Sequence, residues 1–279
     1  MKKITRRSFL AAAGLTAAAL ALTACGGSSS STASSTASSA AASSEAASSS
    51  AAAELTTVEA GKLTMATNAT FPPYEMTTDT GAFEGIDVDT AQAIAEKLGL
   101  ELQIDDMEFD AALLSVQQGK ADIVMAGVTV TDERKAVMDF SGSYATGIQS
   151  IIVPEGSDIA TPDDLAGKKI GTQRGTTGYI YCSDDFGEDS VVAYDSGLTA
   201  VQALNNGQVD AVVIDNAPAT EYVAANPGLK VLDTSYAEED YAIGMAKGSA
   251  LEDAVNKALE ELKADGTLQA IVDKYINAN

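Results

Sequence analysis

The chain of 279 residues contains no histidine and no tryptophan, and it has only two cysteines. Without histidine there is no Ser-His or Cys-His nucleophile pair and no imidazole general base, and most zinc sites are excluded too. Cys25 and Cys182 are too few for a disulfide framework. These absences argue against the commonest hydrolases and zinc enzymes, and we expect neither a metal nor another cofactor.

Cationic residues are also scarce, because 17 lysines and arginines face 40 acids and the net charge is −23. Lys2, Lys3, Arg6 and Arg7 all precede Cys25, so the rest of the chain is more acidic still. Such a chain repels nucleic acid and anionic lipid head groups, and neither is an expected partner. The alternative is that the acidity only keeps an exported protein soluble.

Residues 1–24 have the pattern of a signal peptide, with a basic start followed by an apolar run from Phe9 to Leu22. This run is too short for a comfortable membrane span. It ends in Leu22-Thr-Ala-Cys25, which resembles the lipobox of bacterial lipoproteins and predicts lipidation of Cys25. Thr5–Leu10 resembles a twin-arginine export signal, and the choice between this route and general secretion stays open.

Residues 25–54 combine the lipidated Cys25 with a stretch made almost wholly of Ser, Ala, Thr and Gly. This stretch has no large apolar side chain to bury, so it cannot offset the entropy of ordering. We predict a disordered linker that holds a folded body away from the membrane.

From Leu55 onward, short β-rich runs alternate with capped helical patterns, which predicts α/β layers with mainly parallel sheets. A capping box at Ser249–Glu252 predicts a helix start, and Thr161 followed by proline predicts another. Helices are also predicted at Val88–Leu98 and Thr267–Ile276. The predicted strands are Lys62–Thr67, Asp122–Ala126, Lys169–Thr172, Val191–Tyr194, Ala211–Ile214 and Lys230–Leu232.

One segment occurs twice, since Val116-Gln-Gln-Gly-Lys-Ala-Asp-Ile-Val-Met resembles Leu204-Asn-Asn-Gly-Gln-Val-Asp-Ala-Val-Val. Each copy is a helix end, a glycine stop and a strand that begins at an aspartate. The strand tips fall at Gly127 and Asp215. Chance similarity of short α/β segments is one explanation. The other is that two similar lobes direct equivalent strand ends toward a shared cleft, where α/β sheets bind ligands.

Residues 55–276 resemble the polar amino-acid family of bacterial extracellular solute-binding proteins, family 3. The resemblance rests on six segments, none of which is specific alone, but whose order and spacing together are specific. The matching segments are Thr67–Glu75, Gly85–Asp89, Met125–Arg134, Arg174–Thr177, Val213–Asp215 and Asp265–Tyr275.

The resemblance implies a two-lobed α/β fold of the type II periplasmic-binding-protein class, each lobe a mainly parallel sheet flanked by helices. Lobe 1 would comprise residues 55–147 plus 240–279, and lobe 2 residues 148–239. A two-strand hinge would lie near Ile148–Val153 and Glu239–Ile243.

The function implied is high-affinity capture of a free polar or neutral amino acid outside the cell and delivery to the membrane subunits of an ABC permease. The protein would be a monomer anchored by lipid to the outer face of the cytoplasmic membrane. Two alternatives are an enzyme on the same fold, such as a dehydratase or lytic enzyme, and a ligand sensor without transport. Glu75 is the cleft-adjacent acid such an enzyme could use, but it and Gly85–Asp89 are interpreted as structural.

A free amino acid is a zwitterion, so its site needs a cation for the carboxylate and an anion for the ammonium. Arg134 and Arg174 are the only arginines after Cys25. The planar guanidinium suits a carboxylate better than lysine does, because it can donate two parallel hydrogen bonds. Whether Arg174 and Gln149 touch the ligand stays open.

On lobe 1, the resemblance implies that Arg134 binds the ligand carboxylate, helped by the Gly127 N–H and by Thr129. The alternative for Arg134 is a surface ion pair with Asp132 or Glu133.

On lobe 2, the resemblance implies that Asp215 binds the ligand ammonium and that Thr176 and Thr177 bind its polar groups. The alternatives are a helix cap before Ala217 for Asp215 and ordinary turn chemistry after Gly175 for the threonines.

Phe71 and Tyr74 flank Pro72-Pro73, which stiffens the loop. We interpret Phe71 as a wall for the ligand side chain with Tyr74 nearby, and core packing is the alternative for both. Asn68 stands where binders of cationic or amide amino acids in this family often carry aspartate. Its neutral amide indicates a mild preference against lysine or arginine.

Overall fold

The computed structural model describes residues 55–276, so the predicted signal peptide, Cys25 and the linker lie outside the described residues. The strands in this range are β1 Lys62–Thr67, β2 Thr70–Phe71, β3 Glu75–Thr77, β4 Phe83–Glu84, β5 Glu101–Asp106, β6 Ile123–Val124, β7 Met138–Pro154, β8 Ile170–Gln173, β9 Val191–Tyr194, β10 Ala211–Asp215, β11 Leu229–Val231 and β12 Ala237–Ala246. The helices are α1 Ile86–Leu98, α2 Phe109–Gln117, α3 Asp132–Val137, α4 Thr177–Phe186, α5 Gly197–Asn205, α6 Asn216–Ala225, α7 Glu252–Ala264 and α8 Thr267–Ile276.

Nine of these strands form one continuous sheet in the order β5-β1-β6-β12-β7-β10-β8-β9, with β11 added beside β7. At one end β1 pairs in parallel with β5 and β6, and at the other β8 pairs in parallel with β9 and β10. We call the part around β5, β1 and β6 lobe 1 and the part around β10, β8 and β9 lobe 2. Strands β2, β3 and β4 form a separate small sheet.

The two lobes are connected by long antiparallel strands, β7 with 17 residues and β12 with 10 residues. They pair from Ala237 opposite Gln149 to Ala246 opposite Met138, with register shifts near Tyr241 and Ala242. The predicted hinge segments both fall inside this ribbon. Because the ribbon joins the two parallel sheets into one, the exact lobe boundaries predicted from the sequence stay a prediction.

The repeated segment occupies equivalent places in the two lobes. In lobe 1 the Asp122 N–H donates to the Thr64 carbonyl at 2.9 Å, and in lobe 2 the Asp210 N–H donates to the Lys169 carbonyl at 2.8 Å. Each segment then runs as a strand parallel to its partner, β6 to β1 and β10 to β8. The repeat therefore reflects two similar halves, as one of the two explanations predicted.

Most predicted elements form within one or two residues of the expected bounds, but two helix starts differ. The predicted helix after Thr161 is a single 3₁₀ turn at Pro162–Leu165. The capping box predicted at Ser249 does not form, because α7 begins at Glu252 with Leu251 at the cap position. The Ser249 hydroxyl instead accepts from the Leu251 N–H, a local bond that serves the preceding turn.

Apolar side chains bury the sheet against the helices and so hold the strand ends in place. Leu63, Met65 and Ile123 from the lobe 1 strands share one core with Ile94 of α1 and Leu259 of α7, all of them fully buried. Each such side chain contributes about 1.5–3 kcal/mol when removed from water. Between residues 55 and 276 no helix has both the length and the apolar character of a membrane span.

Candidate functional site

A cavity lies between the lobes, and the space among its lining atoms, including space open to solvent, measures about 320 Å³. Every predicted ligand residue except Tyr74 lines it, together with four residues that were not predicted to bind. Its walls from lobe 1 are Asn68, Phe71, Glu75, Phe109, Ala126, Gly127, Thr129 and Arg134, and those from lobe 2 are Gln173, Thr176, Thr177 and Asp215.

The lobes touch directly around this cavity. The Gln173 side-chain amide donates to the Asn68 side-chain oxygen at 2.8 Å, and Nη2 of Arg134 donates to the Gly175 carbonyl at 3.1 Å. The Tyr222 hydroxyl also donates to the Thr70 carbonyl. Three bonds from one lobe to the other describe a closed arrangement.

Arg134 is placed by the short helix α3, whose first turn is capped when the Thr131 hydroxyl accepts from the Arg134 N–H. The guanidinium is buried, with the residue 8% exposed, and it donates to the Thr129 carbonyl at 2.7 Å. It also lies over the Phe109 ring, 5.4 Å from the centroid. The predicted surface alternative for Arg134 is therefore wrong.

This buried cation has no carboxylate within 4.0 Å among residues 55–276, although Glu239 is near enough to act on it through its charge. Burial lowers the pKa of Arg134, and the charge of Glu239 opposes that effect. A desolvated guanidinium with carbonyl partners but no ion pair is a favourable place for an anionic group.

Asp215 ends β10 and stands at the cap position of α6, but its side chain makes no capping hydrogen bond. Its carboxylate accepts from Gln149 Nε2 at 2.8 Å and from the Tyr241 hydroxyl. Burial first, and then the charge of Glu239, raise the pKa of Asp215 to about 7. The helix-cap alternative is therefore right about the position of Asp215 but not about its side chain, which lines the cavity as an acid that a cation would stabilise.

Gln149 does not line the cavity but lies behind Asp215 and joins it to the hinge. Its Nε2 also donates to Glu239 Oε2 at 3.0 Å, and the same oxygen accepts from the Thr129 hydroxyl at 3.1 Å. Sequence reasoning missed Glu239 because it lies in the acidic run Glu238–Asp240. The alternation along β12 was a usable signal, since it puts Glu239 on the buried face that Tyr241 shares.

The threonines keep local roles while lining the cavity. The Thr176 hydroxyl donates to the Gln173 carbonyl at 2.8 Å and accepts from the Tyr179 N–H at 3.4 Å, so it caps α4. Thr177 is almost fully buried, and its hydroxyl accepts from Gln149 Nε2 at 3.5 Å. Thr176 therefore makes the turn hydrogen bonds that the alternative predicted, and it also lines the cavity.

Gly127 lines the cavity, but its N–H already donates to Asp87 Oδ2 at 3.0 Å. The expectation that this amide helps to bind a carboxylate therefore needs a rearrangement that the closed structure does not contain. Asp87 lies in the first turn of α1, as its interpretation as part of a helix start predicted. It is also fully buried and accepts from the Tyr144 hydroxyl at 2.8 Å.

The aromatic residues of the β2–β3 loop divide between cavity and core. Phe71 lines the cavity, as predicted for a wall, whereas Tyr74 does not. Tyr74 packs edge-on against Tyr241 with 5.2 Å between ring centroids, so core packing explains it better.

Asn68 lines the cavity with its amide already engaged. Nδ2 donates to the Met107 carbonyl at 2.8 Å, and Oδ1 accepts from both Gln173 and the Thr70 hydroxyl.

Arg174 lies away from the cavity and is exposed, and its guanidinium is 3.7 Å from the carboxylate of Asp195. Of the two arginines, Arg134 is therefore the one that lines the cavity.

Glu75 lines the cavity as a fully buried acid, although the sequence interpretation gave it only a structural role. Burial and then the charge of Asp87 raise its pKa well above the usual range. Within residues 55–276 no group of three or more Cys, Asp or Glu side chains is arranged to hold a metal ion.

Comparison with known proteins agrees with this geometry. Residues 63–278 match the family model of bacterial extracellular solute-binding proteins, family 3. The chain belongs to this family. The match spans both lobes and includes every residue that lines the cavity.

Curated relatives of this solute-binding protein include the L-cystine-binding protein TcyJ of Escherichia coli K12, 34% identical over 79% of this chain and 85% of the relative. The probable histidine-binding protein of Neisseria gonorrhoeae is 35% identical over 76% of this chain and 81% of the relative. These relatives are binding proteins, and the extracellular family places the protein outside the cytoplasm.

Solved structures agree on the two-lobed fold. The arginine-, lysine-, histidine-binding protein ArtJ of Geobacillus stearothermophilus has a TM-score of 0.75 and 34% identity, covering 78% of this chain and 96% of its own. An ancestral arginine-binding protein bound to arginine has a TM-score of 0.74 and 43% identity, covering 77% of this chain and 98% of its own.

Proposed function

We propose that this solute-binding protein captures a free polar amino acid outside the cell and delivers it unchanged to the membrane subunits of an ABC permease. The observation that carries the proposal is that Arg134 of lobe 1 and Asp215 of lobe 2 both line the same cavity. A buried guanidinium and a buried carboxylate on opposite walls complement the two poles of a zwitterion. The names of the relatives, which include binding proteins for cystine, histidine and arginine, support an amino acid as ligand.

The proposed sequence of events begins with the ligand carboxylate docking on lobe 1 at Arg134 and Thr129. Lobe 2 then closes and brings Asp215, Thr176 and Thr177 to the ammonium and the other polar groups of the ligand. Only the closed state contacts the ligand from both sides, so the ligand stabilises closure. Desolvating the charges is costly, and the pairs offset that cost only when both poles are matched.

Residues outside the described range complete the proposal. Residues 1–24 would direct export, lipidation at Cys25 would anchor the protein to the outer face of the cytoplasmic membrane, and residues 26–54 would act as a flexible spacer. We propose lobe 1 as residues 55–147 plus 240–279 and lobe 2 as residues 148–239. The protein would act as a monomer and carry out no turnover of its ligand.

A thermal-shift screen of the purified body from Glu54 onward against the standard amino acids and cystine tests the function. A true ligand at a hundredfold excess over its dissociation constant adds about 2.7 kcal/mol to the free energy of unfolding. Failure of every amino acid to raise the melting temperature would overturn the proposal. Recovery of a chemically altered ligand would favour an enzyme on the same fold.

A further inference from the structure

Two buried acids, Glu75 and Asp87, lie together at the cavity. Both are fully buried, and within residues 55–276 no donor bonds to Oε1 or Oε2 of Glu75 or to Oδ1 of Asp87. The two carboxyl groups are within hydrogen-bond reach of each other. Their backbones are joined too, since the Asp87 N–H donates to the Tyr74 carbonyl at 2.9 Å.

Two adjacent carboxyl groups without water cannot both be ionised, because like charges in a poorly polarisable surrounding repel strongly. A single proton between them removes the repulsion and satisfies the facing oxygens. The partners of each acid decide which of them holds the proton. Asp87 Oδ2 accepts from the Gly127 N–H at 3.0 Å and from the Tyr144 hydroxyl at 2.8 Å, so Asp87 is the stabilised anion and Glu75 the proton donor.

We propose that Glu75 shares one proton with Asp87 in the unliganded protein and loses it to solvent when a ligand with a cationic side chain enters the cavity. Glu75 is thereby the residue that distinguishes cationic from neutral amino acids. This inference rests on the proposed function, because it concerns the same cavity.

The groups that face Glu75 from the surrounding elements all oppose its ionisation until a cation arrives. Asp87 of α1, Asp215 of β10 and Asp106 of β5 act on it as negative charges, in decreasing order of effect. Burial raises the pKa of Asp87 to about 6, below neutral pH, so Asp87 is the acid that ionises first, whereas burial and the charge of Asp87 raise the pKa of Glu75 well above its usual range.

The other titratable groups around Glu75 are three tyrosines: Tyr74 in the β2–β3 loop, Tyr144 in β7 and Tyr222 in α6. Burial and the charges of the nearby acids raise the pKa of each hydroxyl, so all three stay neutral. Across the cavity Arg134 is the one cation that residues 55–276 contribute to the lining, and in the proposed complex it binds the ligand carboxylate. A second positive charge for Glu75 must therefore come from the ligand.

Amino acids with a cationic side chain and those with a neutral side chain should then differ in the number of protons that the protein releases on binding them. A guanidinium or ammonium side chain reaching Glu75 replaces the shared proton as its partner, so Glu75 ionises and the proton goes to the buffer. A neutral side chain leaves the pair protonated. The ligand ammonium at Asp215 affects both classes alike, so the difference between classes reports on Glu75.

Titration calorimetry of L-arginine and L-glutamine in buffers of different ionisation enthalpy counts these protons. At pH 7 the expected result is about one more proton released by arginine than by glutamine. Equal proton release by the two ligands would overturn the inference, and so would an absence of binding by arginine, lysine and ornithine. In either case binding of glutamine or another neutral amino acid would leave the proposed function intact.

The variant Glu75→Gln gives the second test, because its side-chain NH₂ can donate to Asp87 as the protonated acid does. We expect it to lower the affinity for arginine relative to that for glutamine by about tenfold or more, and to release no extra proton with arginine. Glu84→Gln, an exposed change nearby, is the control and should alter neither ligand. Equal weakening of both ligands in Glu75→Gln would assign a purely structural role and sink the inference.

Discussion

Gln173 and Asn68 hydrogen-bond to each other across the interface between the lobes, with Nε2 of Gln173 donating to Oδ1 of Asn68 at 2.8 Å. Asn68 is held for this contact by lobe 1 itself, through the Met107 carbonyl and the Thr70 hydroxyl. The pair joins two neutral amides and needs no ligand. It therefore acts as a latch that favours the closed arrangement.

Removing the latch should weaken capture without altering the charges of the site. We expect Gln173→Ala to lower amino-acid affinity by about two- to tenfold, the equivalent of one neutral hydrogen bond. The unliganded protein should also become more open, which small-angle scattering would detect as a larger radius of gyration. Gln202→Ala, on an exposed face of α5, is the control. Unchanged affinity and size in Gln173→Ala would rule out the latch.

Arg134→Ala should cost roughly 2–5 kcal/mol of binding free energy, because the ligand carboxylate would be buried without its cation. The chain supplies a matched control in Arg174→Ala, which removes an exposed guanidinium 3.7 Å from Asp195. That change should leave affinity within the error of calorimetry, as is usual for exposed ion pairs. Undiminished affinity in Arg134→Ala would exclude Arg134 as the carboxylate clamp.

The positions of Gly127 and Asp215 could be predicted from the sequence because they depend on local rules. A repeated glycine stop and aspartate strand start fix where each strand ends, and parallel strand ends meet at one sheet edge. β10 ends at Asp215 as predicted, whereas β6 ends at Val124 and Gly127 lies in the loop after it, and both residues line the cavity. The same reasoning predicted six of the twelve strands of residues 55–276 and the helices α1 and α8 to within about two residues, since hydrophobic periodicity and glycine stops are short-range signals.

Gln173 and Glu239 could not be predicted in the same way, because their roles arise only when distant segments meet. Gln173 reaches Asn68 from the other lobe, and Glu239 meets Thr129 and Gln149 inside the hinge ribbon. The Gly127 amide was assigned to the ligand because nothing in the sequence indicates that Asp87 would reach it. Local patterns locate strand ends but do not reveal which partners a closed cavity brings to them.

Stability should depend on pH through Asp215, whose pKa is raised to about 7 from an ordinary value of 3.8. Between these values the folded protein holds a proton that the unfolded chain has released. This contribution to stability is therefore complete below about pH 4 and is lost as the pH rises through about 7. Asp87 and Glu75 act in the same direction, so the unliganded protein should melt at a lower temperature at pH 8 than at pH 5.

The variant Asp215→Asn isolates this effect, because the amide keeps the size of the side chain but cannot ionise. The fall in melting temperature between pH 5 and pH 8 should be smaller in Asp215→Asn than in the wild type, and amino-acid affinity should fall at both values. Asp79→Asn, an exposed loop change, should behave like the wild type. Identical pH profiles for Asp215→Asn and the wild type would show that Asp215 does not titrate in this range.

Replacement of the proposed lipidated residue, Cys25→Ser, should release the protein from cells. A serine cannot form the thioether, so the variant would carry no lipid at this position. We expect the variant to appear in the soluble extracellular or periplasmic fraction, while the wild type sediments with membranes. Cys182→Ser is the control, because Cys182 is buried within lobe 2 and should not affect localisation. Membrane association that persists in Cys25→Ser would contradict the anchor.

Gly175→Ala should obstruct closure. Gly175 has φ +73°, and a Cβ there would clash with Asp110 Oδ1 of α2 on the other lobe. Gly207→Ala has similar backbone strain at φ +67° but open space around the Cβ, so it should lose about 1–2 kcal/mol of stability and no affinity. In Gly175→Ala we expect affinity to fall by about tenfold or more. Adding Asp110→Ala should restore part of it, since the obstructing carboxylate is then gone. Equal affinities in the two single variants would show that the lobes do not meet at Gly175 when ligand binds.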